Sequence, residues 1–167
     1  MITYLAISIL IIAFSAIGIK ALIKEQKHRR KQLSLAKAYE RFVLQFKLDV
    51  DYCEFLSHRY IGLDRKNRKL ILIDHRGNEK LEQCICLYEV GESKIIHAKD
   101  EEQNITSVLL ELENKRNNKT VRFCFYNKDY DPLVELPSLC RKVIHWKTKV
   151  DVHKHRGSVS FEAEYVL

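Results

Sequence analysis

Two cysteines separated by a single residue are the clearest candidates for metal binding or thiol chemistry in this chain. Cys84 and Cys86 flank one isoleucine, and residues two apart in an extended strand point to the same face. Cys124, in another predicted strand, could join them as a third metal ligand. Structural zinc sites use four ligands, commonly with C-x₂₋₄-C spacing in loops. The spacing therefore favours buried structural thiols, and a metal- or thiol-dependent membrane protein using these three cysteines is the alternative hypothesis.

Other catalytic patterns are missing from the sequence. His153 and His155 form the only close histidine pair, at the predicted end of the last helix, where a solvated terminus is the expected state. The five glycines are isolated, which excludes a phosphate-binding loop, a dinucleotide fingerprint and a G-x-S-x-G nucleophile elbow. The sequence predicts a non-enzymatic protein without catalytic residues, metal ligands or cofactors, and identifies no small-molecule substrate.

The strongest positional signal is an uncharged apolar run at residues 2–19. At 1.5 Å per residue it spans about 27 Å of the roughly 30 Å hydrocarbon layer, and snorkelling of Lys20 extends it to Ile23. We predict a single-pass transmembrane helix, residues 1–23, that acts as an uncleaved signal-anchor. A cleaved signal peptide would need a positive start, and a core helix would need a polar face.

A basic cluster directly after this run predicts the orientation. No Lys or Arg precedes the uncharged run 2–19, whereas six follow it: Lys20, Lys24, Lys27, Arg29, Arg30 and Lys31. The positive-inside rule then predicts an outside N-terminus and a cytoplasmic C-terminal domain at the cell (inner) membrane. Five cysteines, an odd number without framework spacing, agree with reduced cytosolic thiols.

The same six basic residues are the predicted membrane-surface site. Each Lys or Arg near an anionic bilayer contributes about 1 kcal/mol of attraction. The alternative is a stop signal on a solvated helix that binds no specific lipid. Because these residues account for most of the net charge of +7, the remainder of the chain is almost neutral, which argues against a nucleic-acid partner.

The region after the span predicts an α+β fold. Residues 24–48 form an amphipathic linker helix, with Leu35, Tyr39, Phe42, Val43 and Phe46 on one face. Residues 49–156 form the cytoplasmic domain, an antiparallel sheet of five to seven strands with a C-terminal helix packed on it. Strands are predicted at 60–64, 69–74, 107–113 and 120–126. Residues 81–90 are predicted as one strand or a pair of short strands, with 93–98 as a continuation. Residues 157–167 form a tail with weak strand character.

The last helix is predicted to start at Asp131-Pro132 and to run to about His153, with a break near Pro137. Its apolar stripe is predicted from helical spacing. The stripe consists of Leu133, Leu136, Cys140, Val143 and Ile144.

Two resemblances follow from these motifs. The span, the basic helix and Tyr60-Ile-Gly-Leu-Asp-Arg-Lys-Asn-Arg-Lys-Leu-Ile-Leu-Ile-Asp74 resemble a group of small uncharacterised membrane proteins of Bacteroidetes bacteria. The late Phe125-Tyr126-Asn127 and Trp146 match that group as well. The strand order with a terminal helix is similar to pleckstrin-homology-like domains. Together these features predict a membrane-tethered domain that binds a protein partner or the membrane surface.

Overall fold

The computed structural model describes residues 26, 29–30, 33–76 and 80–155. Within these residues the order is helix, seven strands, helix. The first helix, α1, includes the described residues 26, 29–30 and 33–46, and the last, α2, covers Leu136–His155. The strands are β1 (Tyr52–Leu56), β2 (Arg59–Asp64), β3 (Lys69–Asp74), β4 (Leu81–Cys86), β5 (Val90–Lys99), β6 (Ile105–Asn114) and β7 (Thr120–Asn127).

The strands form two antiparallel sheets. Sheet A has the order β1-β2-β3-β4 and sheet B the order β5-β6-β7. The α+β class, the antiparallel pairing and the packed C-terminal helix are therefore confirmed, whereas the prediction of a single sheet was wrong, because the chain changes sheet between β4 and β5. β1 was missed from the sequence because it is a short edge strand with mostly exposed or half-exposed residues, and so shows no clear apolar alternation.

β3 is buried on both faces because a different layer covers each face. Leu70 and Leu72 pack in the main core with sheet B and α2. Ile71 and Ile73 pack in a second cluster against α1. This explains why the strand is a continuous apolar run and not an alternating one. The molecule therefore has three layers, with sheet A in the middle.

α1 packs its predicted apolar face onto sheet A. Leu35 and Phe42 are buried there, and burial of two such side chains stabilises the contact by roughly 3–6 kcal/mol. The helix ends at Lys47, whose φ of 49° is left-handed, and the amide of Leu48 bonds back to the carbonyl of Val43 at 3.0 Å.

Of the two alternatives predicted for residues 81–90, the pair of strands is correct, and the two strands belong to different sheets. A turn of 3-10 helix, Leu87–Glu89, separates β4 from β5 and carries the chain from sheet A to sheet B. Leu87 is fully buried inside this turn. Apolar residues therefore continue through the break, and periodicity alone does not reveal it.

α2 starts later than predicted. A 3-10 turn, Leu133–Glu135, precedes it, and Pro137 lies in its first turn. The amide that proline lacks has no helical partner at that position, so no break occurs there.

The predicted stripe of α2 was partly wrong. Leu133 and Ile144 are 71% and 57% exposed. The face that packs on the core recurs every three or four residues and consists of Leu139, Val143, Trp146 and Val150.

A buried arginine joins the two sheets. The Arg59 guanidinium donates to the backbone carbonyls of Cys124, at 3.0 Å, and of Phe125. It also pairs with Asp131, and both side chains are almost fully buried. Burial and the charge of Arg76 lower the pKa of Arg59, and Asp131 opposes this shift. The network ties β2 to the end of β7.

No helix in the described part of the chain is long and apolar enough to cross a membrane. The predicted span, residues 1–23, lies outside the described residues, as do most of residues 24–32 and the tail 157–167. The anchor, its orientation and the inner-membrane location therefore stay predictions.

Candidate anion-binding groove

The polar face of α1 carries a stripe of basic side chains. Arg30, Ser34, Lys37 and Arg41 follow one another at steps of four, three and four residues, which places them on one side of the helix. The face that packs on sheet A lies next to it, and Ser34 is half-buried where the two meet. The stripe therefore borders the neighbouring strand β4.

A groove of 430 Å³ lies between this stripe and the start of β4. Four of its eight lining residues are basic and one is acidic. The lining residues are Arg30, Leu33, Ser34, Lys37, Ala38, Arg41, Lys80 and Glu82. Arg30, Lys37 and Lys80 form no ion pair with another described residue. The groove therefore has a surplus of positive charge suited to an anion.

The single acid of the groove already has partners within the protein. Glu82 pairs with Arg41 and accepts a hydrogen bond from Nε2 of His75 at 2.7 Å. Burial raises the pKa of Glu82, but the bonds from His75 and Arg41 outweigh burial and lower it overall. Glu82 thus stays ionised and bound, and does not cancel the charge of the other three basic side chains.

Ser34, His75 and Glu82 form a line from the groove into the protein. The Glu82 carboxylate accepts the Nε2–H of His75, which leaves Nδ1 of a neutral ring as acceptor for the Ser34 hydroxyl, 3.3 Å away. His75 is 6% exposed. This order of hydroxyl, imidazole and carboxylate is that of a nucleophile, a base and an orienting acid. Ser34 lies in a helix, however, whose backbone amides are used by the helix itself.

A second cavity continues the basic surface toward β7. It has a volume of 280 Å³ and shares Lys80 with the groove. Its arginines are already paired: Arg76 with Asp74, at 2.5 Å, and Arg122 with Glu111, at 2.7 Å. The groove on α1 is therefore the stronger candidate for an anion.

The described residues include two of the six basic residues predicted at the membrane surface. Arg29 and Arg30 are exposed, and Arg30 lines the groove. The others lie outside the described residues: Lys20, Lys24, Lys27 and Lys31.

The three cysteines of the alternative hypothesis do not line one site. Cys84 and Cys86 line a cavity between β4 and the ends of β6 and β7, whereas Cys124 lines the cavity next to Arg76. All three are free thiols, and burial raises the pKa of Cys84. In the described residues no group of three or more His, Cys, Asp or Glu is placed to hold a metal ion.

The sequence pointed to only part of this site. The steps from Arg30 to Lys37 and Arg41 follow helical periodicity and could have been recognised in the sequence. Lys80 and Glu82 reach the groove only because β4 lies beside α1, and no local pattern encodes that contact. His75 was missed for the same reason.

Comparisons with protein-family models, with curated proteins and with solved structures found no match to this chain.

Proposed function

We propose that this protein is a non-enzymatic, single-pass membrane protein whose cytoplasmic domain binds phosphate-bearing headgroups of anionic lipids. The observation that carries the proposal is the basic groove, because Arg30, Lys37 and Lys80 have no acidic partner among the described residues. The groove also begins within the basic segment that follows the predicted anchor. The sheets of four and three strands with a terminal helix support a pleckstrin-homology-like domain as part of this proposal.

The distance to the membrane constrains the proposal. On an upright helix, Arg30 would stand about 10 Å and Arg41 about 27 Å beyond Ile23. The Debye length is about 8 Å at physiological salt. On an upright helix Arg30 is thus little more than one Debye length away and feels a weakened attraction to the lipid surface, whereas Arg41 reaches the surface only if α1 lies along the membrane.

Titration of the detergent-purified full-length protein with water-soluble, short-chain lipids tests the proposal. Phosphatidylglycerol should raise the unfolding temperature, and phosphatidylcholine, which has no net charge, should not. The double variant Lys37→Glu, Lys80→Glu removes two groove cations. At about 1 kcal/mol for each, it should weaken phosphatidylglycerol binding by at least about tenfold.

The matched control is Lys66→Glu, Lys119→Glu, which changes the net charge equally at two exposed lysines outside the groove. It should change the affinity less than about twofold, because separated surface charges are screened. Equal losses in the two double variants would mean that binding depends on overall charge and not on the groove. Equal stabilisation by the two lipids would show that the groove does not select anions.

A second candidate function is nucleophilic catalysis at Ser34, favoured by its line to His75 and Glu82. A fluorophosphonate probe reacts with activated serine hydroxyls. Labelling of the full-length protein that disappears in Ser34→Ala and His75→Gln would establish an activated serine and overturn the non-enzymatic assignment. Without labelling, the line serves only to fasten α1 to sheet A.

A further inference from the structure

β1 is the outer strand of sheet A, and one of its edges pairs with no described strand. Among the described strands its one partner is β2, from Tyr52 opposite Leu63 to Leu56 opposite Arg59. A free edge presents backbone N–H and C=O groups to any extended segment that reaches it. Such edges bind peptides by strand addition.

A groove of 480 Å³ runs along this edge, between β1 and α2. On the β1 side, three consecutive residues line it, from Tyr52 to Glu54, so that its floor includes the strand edge itself. α2 supplies the opposite wall. The residues of that wall are Ser138, Arg141, Lys142, His145, Trp146 and Lys149.

The α2 wall is basic, and the single acid that lines the groove, Glu54 of β1, is already bound. Glu54 accepts hydrogen bonds from Nζ of Lys142 and from Nε1 of Trp146, each at 2.8 Å. The Lys149 ammonium lies 3.7 Å from the ring centroid of Tyr52. A segment added to β1 would therefore meet positive charge on the side that faces α2.

The other face of β1 is apolar. Phe55 packs against Tyr60 with 4.9 Å between ring centroids, yet remains 55% exposed. Cys53, on the same face by strand alternation, is exposed as well. A segment added to β1 would therefore meet uncovered apolar surface on the side that faces α1.

Residues 158–167 of this chain match both faces. Their sequence, Ser-Val-Ser-Phe-Glu-Ala-Glu-Tyr-Val-Leu, places apolar residues at 159, 161, 163, 165 and 167 and places Glu162 and Glu164 between them. In an extended strand the glutamates would share one face and the apolar side chains the other. We propose that this segment adds to the free edge of β1 in the same molecule, with its glutamates toward α2 and its apolar residues toward Phe55.

The length of the chain permits this. Lys149 lies over Tyr52 and is six residues before the end of α2, which corresponds to about 9 Å of helix. Glu54 contacts Lys142 and Trp146, so β1 runs opposite to α2. A ten-residue strand spans about 33 Å and β1 about 17 Å. The segment is therefore long enough to follow the whole of β1 as a parallel strand.

Disulfide trapping with the native Cys53 in the full-length protein tests the contact. It also tests which face of the added segment is directed toward Cys53. Ala163→Cys and Tyr165→Cys place a thiol on the face of Cys53, whereas Glu162→Cys and Glu164→Cys place it on the opposite face. A disulfide needs Cβ atoms about 3.5–4.5 Å apart, so at least one variant of the first pair should crosslink at least about tenfold faster than either variant of the second. Mass spectrometry of the peptides identifies the partner cysteine.

The controls separate this arrangement from chance contact. Cys53→Ser should abolish the crosslink, and adding Glu162→Lys to Ala163→Cys or Tyr165→Cys should slow it severalfold by repulsion from the basic wall. Equal rates at odd and even positions, or no crosslink at any position, would overturn the proposal. Crosslinks only between two molecules would overturn the intramolecular arrangement, because the segment would then be adding to a second copy.

Discussion

Loss of the Asp131 carboxylate is expected to destabilise the domain strongly. Its side chain is 1% exposed and pairs with Arg59, which is completely buried. Asp131 also accepts the backbone N–H of Asn127 at 2.8 Å. Breaking a buried pair by removing one partner costs about 3–5 kcal/mol, because the other charge stays buried without compensation. An unsatisfied backbone amide adds about 1 kcal/mol or more.

Asp131→Ala should therefore lose about 4 kcal/mol of the free energy of unfolding, a large share of the 5–15 kcal/mol typical of a domain. Arg59→Met removes the other charge. The double variant, Arg59→Met with Asp131→Ala, should be less destabilised than the sum of the single variants by about 2 kcal/mol, since no unpaired charge remains.

Urea unfolding of the full-length protein measures these values. Trp146 is the only tryptophan and is 1% exposed, so its fluorescence reports loss of the core. All variants are compared in the same solution conditions. A loss below about 1 kcal/mol in Asp131→Ala would refute the reasoning. A loss in the double variant that equals the sum of the two single-variant losses, to within about 0.5 kcal/mol, would also refute it.

Three further predictions use the same unfolding assay. In Gly62→Ala the new Cβ would lie 2.5 Å from Oη of the fully buried Tyr60, so a loss of about 1–3 kcal/mol is expected. In Gly91→Ala the nearest atom is Cγ of the exposed Lys115, at 3.0 Å, and because this side chain can shift the change should cost clearly less. Burial raises the pKa of Asp151, but bonds from two lysines and a serine outweigh it and lower the pKa to about 2. The resulting stabilisation, about 1 kcal/mol after solvent screening, is complete above about pH 4 and is lost between pH 4 and 2; Asp151→Asn should remove that pH dependence. Ile144→Ser should change the free energy of unfolding by less than about 0.5 kcal/mol, because Ile144 is 57% exposed, and a larger loss would contradict the observed face of α2.

Local patterns in the sequence determined much of the fold. The alternation of Val121, Phe123 and Phe125 predicted β7, and the spacing of Leu35 and Phe42 predicted the buried face of α1. These predictions succeeded because a strand or a helix repeats its geometry every two or about 3.6 residues. The α+β class followed from the grouping of strands before a helix.

Other features depended on contacts between residues distant in sequence. Trp146 reaches Glu54 across 92 residues, and Arg59 reaches Asp131 across 72. The buried face of α2 was predicted only in part because both of its sides carry apolar residues, and only packing on the two sheets selects one. The turn at Leu87 was missed because a buried residue in a turn resembles one in a strand.

The candidate sites show the same division. The sequence by itself placed a basic cluster after an apolar run, and it placed two glutamates in an alternating segment at 158–167. The tertiary structure decided that Lys80 joins the stripe of α1, and that a basic groove borders the free edge of β1. Charge and periodicity are properties of consecutive residues and can be seen in the sequence. A groove exists only where separate elements meet, and the packing of the whole core determines where they meet.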